Sequence, residues 1–405
     1  MSFIKTKQDI PHGWDLKFLA DLASIKKGEQ LNRLSMDDSG KYPALNGGIR
    51  PSGYTDKWNT EANTVTISEG GNSCGFVNFN KERFWCGGHC YALLDLNENV
   101  DNGFLYQALK SKQDQLMKLR VGSGLPNIQK RSIEEFTLLF PKSRTEQKKI
   151  AEILETVDKE IKKTDEVVAA TERLKTGLMQ QLFTRGIGHT KFRKTKIGEV
   201  PEDWNVVAIK DASIELIDGD RGVNYPKLSE FSPGGYCLFL NNKNIKEDRF
   251  VFSDIQFVSR EKDESLRKGK LRRYDVVLTT RGTVGNVAFY DDSVSFENMR
   301  INSGMLILRA TGDLSPLYMY HLMKSSLLKK KYKEVVSGSA QPQLPIGSLE
   351  QVYIPIPPED EQEQIAEISQ SVDEKILVNQ KLKAKLALLK KGLMRDLLSG
   401  KKRTI

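Results

Sequence analysis

Two long stretches of this chain carry a hydrophobic stripe at helical spacing. In the first, residues 145–184, alternating steps of four and three from Ile150 land on Leu154, Val157, Ile161, Thr164, Val168, Thr171, Lys175, Leu178 and Leu182, with charged residues on the other faces. That spacing predicts one long amphipathic helix with a coiled-coil type of seam. Ser143, followed three residues later by Glu146, is a capping-box start; Gly186 and Gly188 form a stop. Roughly 38 helical residues at about 1.5 Å each give a rod of about 57 Å, too long for a small core to enclose. It needs a partner.

The second stretch, from Asp360 onward, supplies one, because it falls on the first without a gap when 215 is added to each number. Glu146, Gln147, Ile150, Ala151, Val157, Asp158 and Ile161 recur as Glu361, Gln362, Ile365, Ala366, Val372, Asp373 and Ile376, and Gly177-Leu178-Met179 recurs as Gly392-Leu393-Met394. A common heptad pattern alone would not reproduce the glutamine, nor a glycine that costs about 1 kcal/mol inside a helix. The seam expected of the pair is Ile150, Leu154, Val157, Ile161, Leu178 and Leu182 with Ile365, Val372, Ile376, Leu386, Leu393 and Leu397. Lys175, Lys383 and Lys390 also occupy seam positions, where they either fix register or simply face water. Gly177 and Gly392 mark either close backbone approach between the helices, the preferred expectation, or a surface for another subunit.

The rest of the chain repeats more loosely. Pro11-His-Gly-Trp14 opens one half and Pro201-Glu-Asp-Trp204 the other. Runs rich in Val, Ile, Phe and Thr, bounded by Gly, predict strands at 64–68, 76–79 and 91–96, and at 275–280, 286–290 and 304–309. Helices are expected at 104–120 and 317–335. Each is followed by a glycine-serine turn, and these segments align at a shift of 216, with Pro126 on Pro342 and Ser132 on Ser348. The fold class is therefore α+β: two similar α/β domains, separated by two long helices that pair as an antiparallel intramolecular coiled coil with pseudo-twofold symmetry. The expected boundaries are 1–144 for the first domain, 145–185 for the first helix, 186–198 for a linker, 199–358 for the second domain and 359–405 for the second helix with its tail.

Composition narrows the class. With 405 residues, 39% of them hydrophobic and 28% charged, the chain has room for two or three soluble domains. No apolar run approaches the roughly 20 residues of a membrane span, and the opening residues lack a signal-peptide pattern, so a cytoplasmic location is expected. A net charge of +9 suits a polyanionic partner. Cys86-x-x-His89-Cys90, with Cys74 upstream, has the elements of a zinc site, but structural zinc uses paired loop clusters and this segment reads as strand. Reduced thiols packed in a core, with no metal, are the expectation. No phosphate loop, amino-methyltransferase tetrapeptide or H-E-x-x-H motif is present, and the four histidines show no nucleophile pattern.

The order and duplication of these features resemble the DNA-specificity subunit of Type I restriction-modification systems. The motifs that carry the resemblance are Pro201-x-x-Trp204 after a basic linker, Tyr42-Pro43-x-Leu45-Asn46-Gly47-Gly48-Ile49, Pro141-x-x-x-x-Glu146-Gln147 and Pro357-x-x-x-Glu361-Gln362. The likeness covers essentially the whole chain. It implies a subunit with no catalysis of its own that reads a bipartite asymmetric site on double-stranded DNA, one half per domain. It further implies two methyltransferase subunits that modify adenine at N6, and through them motor-nuclease subunits. S-adenosylmethionine, ATP and magnesium would belong to those partners.

Candidate DNA-reading residues follow from chemistry: Arg suits guanine, Asn and Gln suit adenine, and Lys, Ser and Thr suit phosphates. In the first domain these are Lys26, Lys27, Asn46, Arg50, Ser68, Asn72, Ser73, Ser123, Asn127, Gln129 and Lys130. In the second they are Arg221, Asn241, Asn242, Lys243, Asn244, Arg281, Thr283, Ser339, Gln341 and Gln343. Glu69 is expected about where Arg281 sits in the second domain. The helices would act as a ruler, so that inserting four residues in one of them lengthens the DNA spacer between half-sites. One alternative is a non-catalytic coiled-coil scaffold or adaptor with two ligand-binding domains, which binding indifferent to salt would favour; the other is an enzyme with an unrecognised site, which turnover by the purified chain alone would reveal.

Overall fold

The computed structural model describes residues 10–37, 39–122, 124–246, 248–338 and 342–404. It divides into two compact units: Met1–Glu166 with Gln380–Ile405, and Val167–Asn379.

The first unit contains β1 (Trp14–Phe18), α1 (Leu19–Leu22), β2 (Ser24–Lys27), β3 (Tyr42–Leu45), β4 (Gly53–Thr55), β5 (Thr64–Ser68), β6 (Val77–Asn80), β7 (Trp85–Cys86) and β8 (Cys90–Leu94). After these come α2 (Asn102–Ser111), α3 (Gln113–Met117), α4 (Lys130–Glu134), β9 (Thr137–Pro141) and the first half of α5 (Arg144–Arg185). An antiparallel sheet has the order β2-β8-β5-β6, a smaller one the order β4-β3-β7, and β1 pairs with β9. All five residues of β5 are buried. It is a central strand covered on both faces, and its alternation sends Val65 and Ile67 to one face and Thr64, Thr66 and Ser68 to the other, all of them buried. Val65 and Ile67 face the main core with Phe104 and Leu105 of α2, whereas Ala92 of β8 packs with Leu45 and Cys86 of the smaller sheet.

The second unit repeats this plan. Following the second half of α5 are β10 (Phe192–Thr195), β11 (Gly198–Pro201), β12 (Asn205–Ala208), β13 (Ile214–Asp218), β14 (Cys237–Leu240), β15 (Ile245–Lys246), β16 (Arg249–Phe250) and β17 (Phe257–Val258). Then come α6 (Arg260–Ser265), β18 (Val276–Thr279), β19 (Val287–Phe289), β20 (Met299–Ile301), β21 (Met305–Ala310), α7 (Pro316–Met323), α8 (Ser326–Val335), α9 (Ile346–Glu350), β22 (Tyr353–Ile356) and α10 (Glu359–Leu397). The sheets are β13-β21-β18-β19 and β17-β14-β20, with β12 paired to β22. These three sheets have the topology of those in the first unit, and the second unit adds the two-stranded pairs β10-β11 and β15-β16. In both, the middle strand of the smaller sheet has one parallel and one antiparallel neighbour.

All six expected strands are present, shifted by a residue or so at their ends. The two expected domain helices are each broken in two. Ser325 caps a new helix by accepting a hydrogen bond from the Leu328 N–H at 3.3 Å, and Lys112 (φ −107°, ψ 15°) interrupts the other. The segment after α5 is more than a linker, because β10 and β11 form a hairpin there.

The long helices span 42 and 39 residues, about 63 and 59 Å. In the first unit Asp158 pairs with Lys390 at 2.6 Å and Asp165 with Lys383; in the second Asp373 pairs with Lys175 at 2.6 Å. The residue numbers in each pair add to 548 (158 with 390, 165 with 383, 175 with 373), so α5 and α10 run antiparallel in one register within each unit. Every expected seam residue is buried or half-buried. The seam lysines are thus register-fixing ion pairs. Close approach at Gly177 and Gly392 is overturned, because a Cβ added at either would meet nothing within 4 Å.

The recurring Glu-Gln is explained by what it ties. Gln147 donates to the Pro141 and Asn99 carbonyls and accepts from the Asp101 N–H; Gln362 donates to those of Pro357 and Asp313 and accepts from the Ser315 N–H. Each glutamine thereby joins the start of a long helix to the preceding strand and to the cap of a domain helix. Ser143 Oγ accepts from the Glu146 N–H at 3.3 Å, half of the expected box. The Glu146 carboxylate instead binds Arg403, whose guanidinium also donates to the His12 carbonyl. Its counterpart Glu361 accepts from the Ile187 N–H, from the indole of Trp204 at 2.7 Å and lies 2.9 Å from His189. Gly186, at φ +63°, must be glycine there, since a Cβ would come within 2.3 Å of the Glu361 carboxylate.

Candidate nucleic-acid interface

In the first unit the loops carrying the expected residues converge. The Glu69 N–H donates to the His89 carbonyl, and the Glu69 carbonyl accepts from the Ile128 N–H, both at 2.9 Å. Asn127 bridges to Gly70 and to Val121, Ser73 Oγ donates to the Gly47 carbonyl at 2.6 Å, and Asn46 Oδ1 accepts from the His89 N–H. These bonds place Asn46, Ser73 and Asn127 on one loop surface, with Arg50, Asn72, Gln129 and Lys130 exposed on the same loops. Beneath them, buried Glu69 receives Lys27 Nζ at 2.6 Å and the Tyr91 hydroxyl at 3.1 Å, and its Oε2 lies 3.5 Å from His89 Nδ1. Burial first, and then the Glu69 carboxylate, push the Tyr91 phenol up to about 12. Lys27 and His89 remain largely exposed while this carboxylate holds them. Lys26 pairs with Asp95 at 2.9 Å, and Ser68 is buried within β5.

The second unit builds the same junction with other side chains. The Thr280 N–H donates to the Gly304 carbonyl, the Thr280 carbonyl accepts from the Leu344 N–H, and Gln343 bridges to Arg281 and Ser337. The backbone pattern therefore sets Glu69 against Thr280, Gly70 against Arg281 and Asn127 against Gln343. The alignment thus shifts by one residue: the first-unit position equivalent to Arg281 is Gly70, which offers no side chain. Arg281 is held by Asn242, whose amide donates to its carbonyl, and its Nε is buried without a partner among the described residues. Thr283 is exposed on the same turn. Asn241 Oδ1 accepts from the Lys243 N–H, and Lys243 pairs with Asp254 at 3.3 Å. Asn244 is fully buried, its amide spent on the Val251 and Asp254 carbonyls, so it closes the loop rather than facing outward. Arg221 is exposed and bonds to Asp218 and the Ser303 carbonyl. Ser123, Ser339 and Gln341 lie outside the described residues.

Two features escaped the sequence reading. His89 is brought to the loop surface only by the fold. Five cations among seven residues, Arg267 to Arg273, were visible as a charge run, and the fold sets Arg267 against the Arg221 loop through Asp220. The Asp220 carboxylate accepts from the Gly222 and Arg267 N–H groups, both at 2.8 Å, and these bonds, Gly222 first, hold its carboxyl down to about 2. The four cysteines are buried free thiols, and burial raises Cys74 and carries Cys237 up to about 12. Among the described residues no group of three His, Cys, Asp or Glu side chains is placed to hold a metal ion.

Two copies of one family model, the Type I restriction modification DNA specificity domain, match residues 11–168 and 201–388. The chain belongs to that family. Its relatives include the Type I restriction enzyme MjaVIII specificity subunit of Methanocaldococcus jannaschii, 27% identical over 97% of this chain and 93% of that one. The type I specificity subunit S.MpnORF638P of Mycoplasma pneumoniae is 33% identical over 44% of this chain and 48% of its own. In fold, the chain matches the S subunit of a Type I restriction-modification system from M. genitalium with a TM-score of 0.68 and 21% identity, covering 97% of each chain. A chain from a structural study of type I R-M complex assembly matches at 0.55 and 14%, covering 96% of this chain and 98% of that one. The two family-model copies correspond to the duplicated strand plan, and in each the equivalent loops carry different polar side chains.

Proposed function

We propose that this chain is the DNA sequence-recognition subunit of a Type I restriction-modification complex. Each unit reads one half of a bipartite, asymmetric site on double-stranded DNA through its converging loops. The observation that carries this reading is the pair of equivalent junctions with unlike side chains. The backbone hydrogen bonds repeat, while Arg281 stands at the position equivalent to Gly70 and Thr280 at that of Glu69. A conserved frame with exchanged polar groups suits two readers of different base sequences, since base edges are discriminated by side-chain donors and acceptors.

In this reading the paired helices supply the spacer between half-sites and a surface for two methyltransferase subunits, through which motor-nuclease subunits join. S-adenosylmethionine, ATP and magnesium act in those partners, which perform adenine N6 methylation and cleavage. The test is a genome-wide map of N6-methyladenine in cells carrying this chain and its methyltransferase partner. A single interrupted, asymmetric motif that vanishes on deletion of the chain is the expected result; an unchanged methylation map refutes the proposal.

A further inference from the structure

The charge run missed in the sequence forms a cleft of about 560 Å³ beside the edge strand β13. Arg267, Lys268, Lys270, Arg272 and Arg309 line it, against the carboxylates of Glu215 and Asp218. Three of the cations are already committed. Arg309 binds Asp275 at 2.8 Å, Lys270 binds buried Asp263 at 2.5 Å, and Arg267 lies 3.4 Å from Asp220. Lys268 and Arg272 are exposed, and neither forms an ion pair among the described residues.

The backbone that carries these two side chains is fixed. The Lys268 carbonyl accepts from Arg300 at 2.7 Å, the Gly269 carbonyl from the Ile301 N–H, and the Lys270 carbonyl from Arg309; the Leu271 N–H donates to the Met299 carbonyl. With the loop backbone already ordered, only the two side chains lose freedom on meeting an anion, which lowers the cost of binding. A chain of hydrogen bonds also links the cleft to the reading loops. Asp220 ties the run to the Arg221 turn; Arg221 bonds to the Ser303 carbonyl; and the next carbonyl, Gly304, receives the Thr280 and Arg281 N–H groups.

The matching stretch of the first unit, residues 56–63 between β4 and β5, holds one lysine, Lys57, with Asp56 and Glu61. We propose that Lys268 and Arg272 clamp the DNA phosphate backbone next to the half-site read by the second unit, making that unit the stronger electrostatic anchor of the two. The inference rests on the DNA-recognition reading.

The test measures binding of the full chain to a mixed-sequence duplex across a salt series. Variants are Lys268→Ala/Arg272→Ala and, as a charge-matched control, Lys41→Ala/Lys57→Ala, which removes two exposed cations from the first unit. Each phosphate neutralised contributes about 0.9 to the slope of log K against log salt. The first variant should lower the slope by about 1.8 and leave the methylated motif in cells unchanged, and the control should lower it by much less. An unaltered slope, an equal loss in the control, or a changed motif each overturns the clamp. Wild-type binding that ignores salt fails at an earlier step and overturns DNA recognition itself.

Discussion

At the residue scale, the second unit depends on the buried carboxylate of Asp220. Asp220 organises the turn that presents Arg221, and its hydrogen bonds from Gly222 and Arg267 lower its carboxyl from an ordinary 3.8 to about 2. A carboxylate depressed in the folded state stabilises that state above about pH 4 and loses the contribution as pH falls through about 2. Asp220→Asn should therefore be less stable at neutral pH and show a flatter stability profile between pH 4 and pH 2, read from unfolding midpoints. Arg281 belongs to the same turn system, and a good bidentate base contact carries about 1–3 kcal/mol of discrimination. Arg281→Ala should relax the methylated motif at one position of one half-site and leave the other half intact. A motif unchanged in both halves would remove Arg281 from the reading set.

At the scale of elements, the ion pairs between the long helices differ in burial, and so in worth. Asp373 is met by Lys175 and by Lys324 of the α7–α8 junction, a lysine almost wholly buried. Burial, opposed by Asp373, carries that ammonium down to about 8. Removing the carboxylate leaves cations uncompensated in a poorly solvated place, and Asp373→Ala is expected to cost about 3 kcal/mol. Lys383 and Asp165 are each nearly half exposed, so Lys383→Ala should cost less than about 1 kcal/mol. Denaturant midpoints compare the two directly. The first unit repeats the arrangement: Asp158 receives Lys390 at 2.6 Å and the Gln107 amide at 3.1 Å. This common register also changes how a ruler must be tested. Four residues added to one helix would shift its partners and break these pairs, so seven residues should be added to both helices, one heptad each. The matched insertion should lengthen the DNA spacer in the methylated motif and leave both half-sites unchanged.

For the whole molecule, the duplicated plan predicts modular specificity. Replacing residues 1–140 with the corresponding domain of another family member should change one half-site and preserve the other, provided the graft retains what Gln147 binds. That glutamine bonds the Asn99 carbonyl and the Asp101 N–H within the exchanged segment and the Pro141 carbonyl just after it, so a donor domain whose backbone does not bring the first two groups to those places would lose stability before it altered specificity. Methylome mapping of the chimera distinguishes the outcomes, because a motif altered in both halves contradicts one reader per unit.

The sequence by itself determined the repeat, the two helices and the apolar stripe along each, because a helix repeats every 3.6 residues and its buried face must be written in local order. It also marked the central strands through their content of β-branched residues, as in the Thr-Val-Thr-Ile run of 64–67, because such side chains fit a pleated sheet. What joins distant residues was decided only by the tertiary structure. The strand pairing 91–27 and the hydrogen bonds from residue 69 to 89 and 128 depend on sheet order, which no local pattern records. For that reason the loops were recognisable as polar turns, while the equivalence of Gly70 and Arg281, the burial of Ser68 and Asn244, and the arrival of His89 became visible only in the fold. Gly177 and Gly392 mark the same boundary from the other side: the repeat made them conspicuous, but their empty surroundings are a property of packing in three dimensions.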